Sequence, residues 1–417
     1  MTNEEDLIKI TLTIEGVNFD NFPEFSAYEV ILGESLKTPG LQTAIKINNA
    51  LVSGVDQNRI KNLDELKGRG VNIEIEKSSF AIEPYKQYEI PVVTKVGFDS
   101  QHIVYRAEDR TLLNNNMEEL TLRACDLSLI KDASALISKS WKCTSPSTIT
   151  GDILTKCLGI PKSNQVIERR STPNYDYMAR NIHPFQAINQ QTNAALAKTD
   201  DPSFLHFMTY NFKRGVGMHH FESLYQMTKK PSVMTFKHAT TGDVTGFMNP
   251  IKALSFSFPC DFDLLSDVLN GIGPDGSPIS SLAVFNPKNK MFSMLGNQSI
   301  GCGVGGGVYK TAQTNINTAR QQDTCQSDVE KYRLKRQARM SLLERDKIAL
   351  RMTVPFNPKL NVGKVITFEY IDEDTGEKMY GNGDYLILNL FHHVKNGGYG
   401  TTVIDCVSNT VGQGGKV

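Results

Sequence analysis

The chain has 417 residues, with 45 basic against 45 acidic side chains and a formal net charge of zero. At roughly 100–200 residues per domain that length calls for two to four domains, and a chain this long buries about three quarters of its unfolded surface without needing a covalent staple. Charge balance argues against a binder of duplex nucleic acid. No apolar run of about 18 residues is present to span a membrane as a helix, and the polar start MTNEEDLIKI lacks the regions of a secretory signal, so a soluble product made in the cytoplasm is expected.

In chain order, LIKITLTI at 7–14 sets Ile8, Ile10, Leu12 and Ile14 on one face and Lys9, Thr11 and Thr13 on the other, the pattern of a half-buried strand. Residues 43–47, 71–76, 88–98 and 102–109 repeat it, with turns at Pro39-Gly40, Gly68, Gly70 and Gly97. In SPSTITGDILTKCLG, Ile149, Ile153, Leu154, Cys157 and Leu158 fall on one helical face, with Ser147 or Thr148 to cap it and Gly159 to end it. HPFQAINQQTNAALA predicts a second helix with Pro184 in its first turn and Phe185, Ile188, Ala195 and Leu196 inward. Residues 203–211 and 217–227 form a hairpin pattern, to which 233–239 adds a third strand. DFDLLSDVLNG reads as a short helix, LAVFNPKNKMFSML as a hairpin, and SDVEKYRLKRQARMSLLERD as a charged helix opened by the Ser327/Glu330 capping box. Strands return in KIALRMTV, GKVITFEYI, GDYLILNLFHHV and YGTTVIDCVSN.

Candidate chemistry is sparse. The seven cysteines (Cys125, Cys143, Cys157, Cys260, Cys302, Cys325 and Cys406) show no C-x-x-C pair and no zinc-ligand spacing, and read as reduced. The segment NQSIGCGVGGGVYK contains a G-x-G-x-x-G, but no βαβ unit surrounds it and no Lys-Ser/Thr follows, so residues 301–307 read as a surface loop, not a phosphate cradle. His219-His220 and His392-His393 are neighbours on strands and point to opposite faces, so neither pair chelates one ion. Asp261, Asp263 and Asp267, like Asp372, Glu373 and Asp374, offer no acid pair with a reason for a raised pKa. Lys331, Arg333, Lys335, Arg336, Arg339 and Arg345 read as a solvated helix face. No catalytic, cofactor-binding or metal residue is expected.

The order of the pieces carries a resemblance. ESLKTPGLQTAIKI, LISKSWKCTSPSTITGDILTKCLG, RNIHPFQAINQQTNAAL with the following PSFLHFMTYNFKRGVGMHHFESL, IALRMTVPFNPKLNVGKVITFEY and GDYLILNLFHHVKNGGYGTTVIDCVSN together resemble the baseplate central hub proteins of contractile-tailed bacteriophages, a family shared with the hub part of type VI secretion spike proteins. The likeness spans roughly 5–260 and 340–409 and is weakest across 290–330.

The residue pattern and the resemblance together give a β-rich α+β fold with two related antiparallel, tube-type β-barrels and smaller mixed α/β domains between them. The expected units are 1–112 (first barrel), 113–200 (mixed), 201–248 with 341–417 (second barrel), and 249–340 (an insert with the glycine-rich loop and the basic helix). The resemblance implies a structural, non-enzymatic hub without cofactor: a homotrimeric ring in the virion tail, assembled in the host cytoplasm, matching a three-fold spike to a six-fold tube. Its implied partners are the spike, tube initiator and baseplate wedge proteins, with transient contact to passing DNA or a tape measure protein. No oligonucleotide-binding barrel, lysozyme domain or needle is recognised, so the spike is expected as a separate protein. The alternatives are a tail-associated peptidoglycan hydrolase, a nucleotide-dependent oxidoreductase, or a tail-tube or adaptor protein.

Overall fold

The computed structural model describes residues 7–15, 17–18, 27–50, 63–82, 89–97, 102–114, 117–169, 174–197, 201–238, 251–259, 281–286, 291–295, 309–313, 343, 349–371, 377–398 and 400–408. The glycine-rich loop, the expected helix at 261–271, the basic helix, and Asp372, Glu373 and Asp374 lie outside them.

The N-terminal half holds β1 (Leu7–Ile14), β2 (Val17–Asn18), β3 (Ala27–Ser35), β4 (Gln42–Ala50), β5 (Gly70–Ile82), β6 (Glu89–Gly97), β7 (His102–Asn114) and β8 (Met117–Asp126). Alternation drives them: Ile8, Ile10, Leu12 and Ile14 of β1 and Val71, Ile73 and Ile75 of β5 are all essentially inaccessible, and they face each other across an eight-pair antiparallel ladder. Helix α1 (Leu127–Ser134) follows, its first turn capped by Asp126, whose Oδ1 accepts from Ser128 N at 2.8 Å.

The middle of the chain carries β9 (Ile137–Thr144), α2 (Pro146–Asp152), β10 (Gln165–Ile167), β11 (Tyr175–Ile182), α3 (Pro184–Ala194), β12 (Phe204–Asn211), β13 (Val216–Ser223) and α4 (Leu224–Thr228). Ser145, rather than Ser147 or Thr148, caps α2, because Pro146 takes the first helical position. The helix runs on into a π-type turn, Ile153–Cys157, and Gly159 ends it at φ 68°. Ile149, Ile153, Leu154 and Leu158 are buried, whereas Cys157 is half-buried. In α3 Phe185 and Ile188 point inward, but Ala195 and Leu196 are buried beyond the helix end. β12 and β13 pair as an antiparallel hairpin, and the third strand on it is β10, parallel to β13.

The C-terminal half contains β14 (Thr235–Lys237), β15 (Ile251–Lys252), β16 (Ser255–Ser257), β17 (Ser281–Asn286), β18 (Met291–Leu295), β19 (Tyr309–Gln313), β20 (Leu350–Pro355), β21 (Val365–Glu369), β22 (Gly383–Lys395) and β23 (Gly400–Val407). β14, expected to extend the β12–β13 hairpin, instead runs parallel to both β15 and β21. β17, β18 and β19 make a separate three-stranded sheet.

The expectation of two closed antiparallel barrels is corrected by the strand pairing. Among the described residues no sheet closes on itself. Fifteen strands form one sheet whose main path runs β15-β14-β21-β22-β3-β4-β8-β7-β5-β1-β2, and it mixes parallel with antiparallel pairs. The cause is the length of β22. Its thirteen residues exceed what either half needs: Gly383–Leu386 pairs with β21, while Asn389–Lys395 pairs with β3, and β23 follows its other edge. The edge on which the first half would have closed is thus used by a strand from the far end of the chain. Among the described residues, the isolated bridge Ile8 to Gly398 and the Ile10 N–H donated to Asn396 Oδ1 at 3.0 Å approach the missing closure.

Among the described residues three apolar clusters form the core. The first lies inside the β1–β8 sheet, the second under β20–β23, and the third between α2, α3 and the β9–β11 ribbon. β12 serves all three: Phe204 belongs to the third, Phe207 to the second, and Met208 and Tyr210 to the first.

Candidate functional site

Three groups of polar side chains stand out, and the first lies where distant parts of the chain meet. The first is the joint between β3 and β22, in register from Ser35 opposite Asn389 to Glu29 opposite Lys395. A polar row crosses four strands there. Arg351 donates to both oxygens of Asp405 at 2.6 and 3.2 Å, Asn389 Nδ2 donates to Asp405 Oδ2 at 3.4 Å, and Ser35 Oγ donates to Asn389 Oδ1 at 2.8 Å. Farther along, Glu29 takes His393 Nε2 at 2.6 Å and Lys46 Nζ at 3.4 Å.

Beneath this row Glu34 is 1% exposed. Its Oε1 accepts from Tyr210 N at 2.6 Å and Asn361 Nδ2 at 2.9 Å, and its Oε2 accepts from Val362 N at 2.9 Å. Burial pushes the carboxyl up to about 7, against the pull of these donors and of Lys364.

The second group sits on β12 and β13. His206 Nε2 and His219 Nδ1 are 3.4 Å apart, under the ring edge of Phe185. Burial depresses both imidazoles, His219 to about 4 despite nearby Asp126, and His206 well below its ordinary value. Beside them Thr209 Oγ1 meets His220 Nε2 at 2.9 Å, and His220 Nδ1 meets Glu222 Oε2 at 3.3 Å. Hydroxyl, imidazole and carboxylate stand in the order of nucleophile, base and orienting acid. The surroundings oppose that role: Thr209 is 5% exposed, the Phe207 ring lies flat on His220 at 4.7 Å, and Lys230 Nζ takes both Glu222 oxygens at 2.9 and 3.0 Å.

The third group centres on Asp152, which accepts from Lys139 and Lys156 at 2.5 Å each and from Trp141 Nε1 at 2.9 Å. Burial pushes this carboxyl up, but the three donors outweigh it and hold it at about 2. It fixes Trp141 against Tyr177, whose ring stacks at 5.6 Å.

Of the residues singled out in the sequence, His219 and His392 are buried, while His220 and His393 are half-buried on the opposite faces of their strands. Cys125 and Cys406 are buried. Burial pushes the Cys125 thiol up to about 11 and that of Cys406 well above its ordinary value, which disfavours the reactive thiolate. Cys143 is exposed and Cys157 half-buried, and Cys260, Cys302 and Cys325 lie outside the described residues. Among the described residues no group of three or more His, Cys, Asp or Glu is placed to hold a metal ion, and no helix is long and apolar enough to cross a membrane.

Sequence reasoning missed Glu34, Asn361, Asp126 and His206. For Glu34 a signal exists: Val30, Leu32, Glu34 and Leu36 occupy successive inward positions and all are buried, so a carboxylate interrupts an apolar alternation. Asn361 has no local mark, because its partners Glu34 and Tyr210 lie far along the chain, whereas Asp126 meets nearby Ser128 and His206 meets His219 across the hairpin.

No protein-family model and no curated protein matches the chain. Solved structures do. A tail protein from Neisseria meningitidis MC58 is similar at a TM-score of 0.56 and 10% identity, over 98% of this chain and 99% of that one. The 43 kDa tail protein of prophage MuSo2 from Shewanella oneidensis is similar at a TM-score of 0.52 and 11% identity, over 96% of this chain and 97% of that one. A chain of a Francisella PdpA–VgrG complex is similar at a TM-score of 0.50 and 8% identity, over 97% of this chain but 59% of that one. At such identities the likeness is one of fold, and in fold this chain corresponds from end to end to two tail proteins.

Proposed function

We propose that the chain is the central hub of a contractile tail baseplate. Three copies form a ring that holds a spike on one face, seats the tail tube on the other, and matches three-fold to six-fold symmetry. The observation that carries this reading is the end-to-end correspondence of fold with two tail proteins, each covered almost completely. The polar groups agree with a structural role: the carboxylates Glu34, Glu222, Asp152 and Asp405 are each tied to protein partners. Balanced charge suits a wall that must let nucleic acid pass without gripping it. Spike, tube and wedge proteins are the partners of this reading, and contact with a tape measure protein or passing DNA is its finer part. The division into 1–112, 113–200, 201–248 with 341–417, and 249–340 belongs to the same proposal, as units joined by one sheet.

Electron microscopy of the purified protein, with its mass in solution, tests the reading. Three-fold rings of three times the chain mass, with a six-lobed outline, are expected. Six-fold rings or open tubes would make the chain a tube or adaptor protein instead. Compact monomers at every concentration, together with cell-wall hydrolysis, would replace the hub with an enzyme.

A further inference from the structure

We propose that Glu34 is a latch at the joint of the two halves, coupling the order of β3, β12 and the 356–364 loop so that they open and close together. Every donor to this buried carboxylate comes from a distant segment: Tyr210 is 176 positions away, Asn361 is 327 and Val362 is 328. β12 is an edge strand of its own sheet, with β13 on one side. On its other side Glu34 accepts the Tyr210 N–H, while Asn361 Nδ2 donates to the Tyr210 carbonyl at 2.9 Å. The two side chains thus do at Tyr210 what a neighbouring strand does elsewhere, supplying one acceptor and one donor to one residue.

The arrangement is braced from both ends. Lys364 Nζ donates to Asn361 Oδ1 and to the Lys359 carbonyl, both at 2.7 Å, and the Tyr210 hydroxyl meets Thr43 Oγ1 at 3.0 Å on β4. Losing the carboxylate would strand two buried backbone donors at once, Tyr210 N–H and Val362 N–H. Opening at any one of the three segments therefore strands a buried hydrogen-bonding group on the others. This inference does not depend on the hub reading.

Native-state hydrogen exchange on the full chain tests it, comparing wild type with Glu34→Gln, Asn361→Ala and the double variant. In Glu34→Gln, compared with wild type above about pH 7 where the carboxyl is ionised, exchange should rise at least about tenfold at Tyr210, at Val362 and along the β3–β22 ladder, as expected for losing a hydrogen bond to a charged group. The β9–β11 ladder should keep its wild-type protection, and the double variant should add little beyond Glu34→Gln. An unchanged β3–β22 ladder, an equal rise in every sheet, or additive effects of the two substitutions would each overturn the latch. If Glu34→Gln does not fold, Asn361→Ala alone is read by the same ladder comparison.

Discussion

Burial moves the Glu34 carboxyl up to about 7 and the imidazoles of His219 and His392 down to about 4 and about 3. These shifts act on stability with opposite signs. A raised carboxyl contributes stability that is complete below its unfolded value near 4.5 and is lost as pH rises through about 7. Depressed histidines contribute stability that is complete above their unfolded value of 6.5 and is lost as pH falls toward the folded values. Between pH 4.5 and 6.5 at least two histidines oppose one carboxyl, so the chain should lose stability on acidification. Glu34→Gln removes the opposing proton and should steepen that loss by about 1.4 kcal/mol per pH unit. Urea midpoints measured across this range check it, and an unchanged slope would mean that Glu34 does not titrate there. The inward position of Glu34 shows in the buried set Val30, Leu32, Glu34 and Leu36, a period that the run Val30-Ile31-Leu32 hides in the sequence. Tyr210, Asn361 and Val362 were not legible as its partners, because nothing in the pattern of three separated segments says that they converge.

β22 is the element on which both halves depend, and its inward residues are the sensitive ones. Leu390 is fully buried beside the joint, so Leu390→Ala should cost about 2–5 kcal/mol, read as a drop in denaturant midpoint. At the start of β23 a Cβ on Gly400 would lie 2.6 Å from Ile8 Cδ1 and 2.7 Å from Phe356 Cβ. Gly400→Ala should therefore push β1 off the β22–β23 turn and destabilise the chain by about 1–3 kcal/mol. Loss of protection at Ile8 N–H, which donates to Gly398 O at 3.0 Å, would report the displacement. Strands with clean alternation, such as β1 and β5, could be read directly. β3 could not, because Val30, Ile31 and Leu32 run together and hide the period. β8 could not either: MEELTLRACD is rich in Met, Glu, Leu, Arg and Ala, all good helix formers, and only its place between β4 and β7 makes it a strand.

For the whole molecule, a strand shared by three cores implies one cooperative body despite the chain length. The single tryptophan, Trp141, reports the third cluster, while far-ultraviolet circular dichroism reports the large sheet. The two signals should give coincident transitions; a tryptophan transition well ahead of the sheet would show that β12 does not couple the cores. The β-rich composition and the order of the pieces were legible in the sequence. The continuous sheet was not, since strand partners 354 positions apart leave no local trace. That separation also gives the ribosome a part in the story. At about 5–20 residues per second, β3 emerges tens of seconds before β22, the strand that lies along its free side. Until then the nascent chain carries a bare edge that invites chaperones or misplaced pairing. A chain stopped short of β22 would keep that edge, so completion of the sheet signals that translation has passed β22.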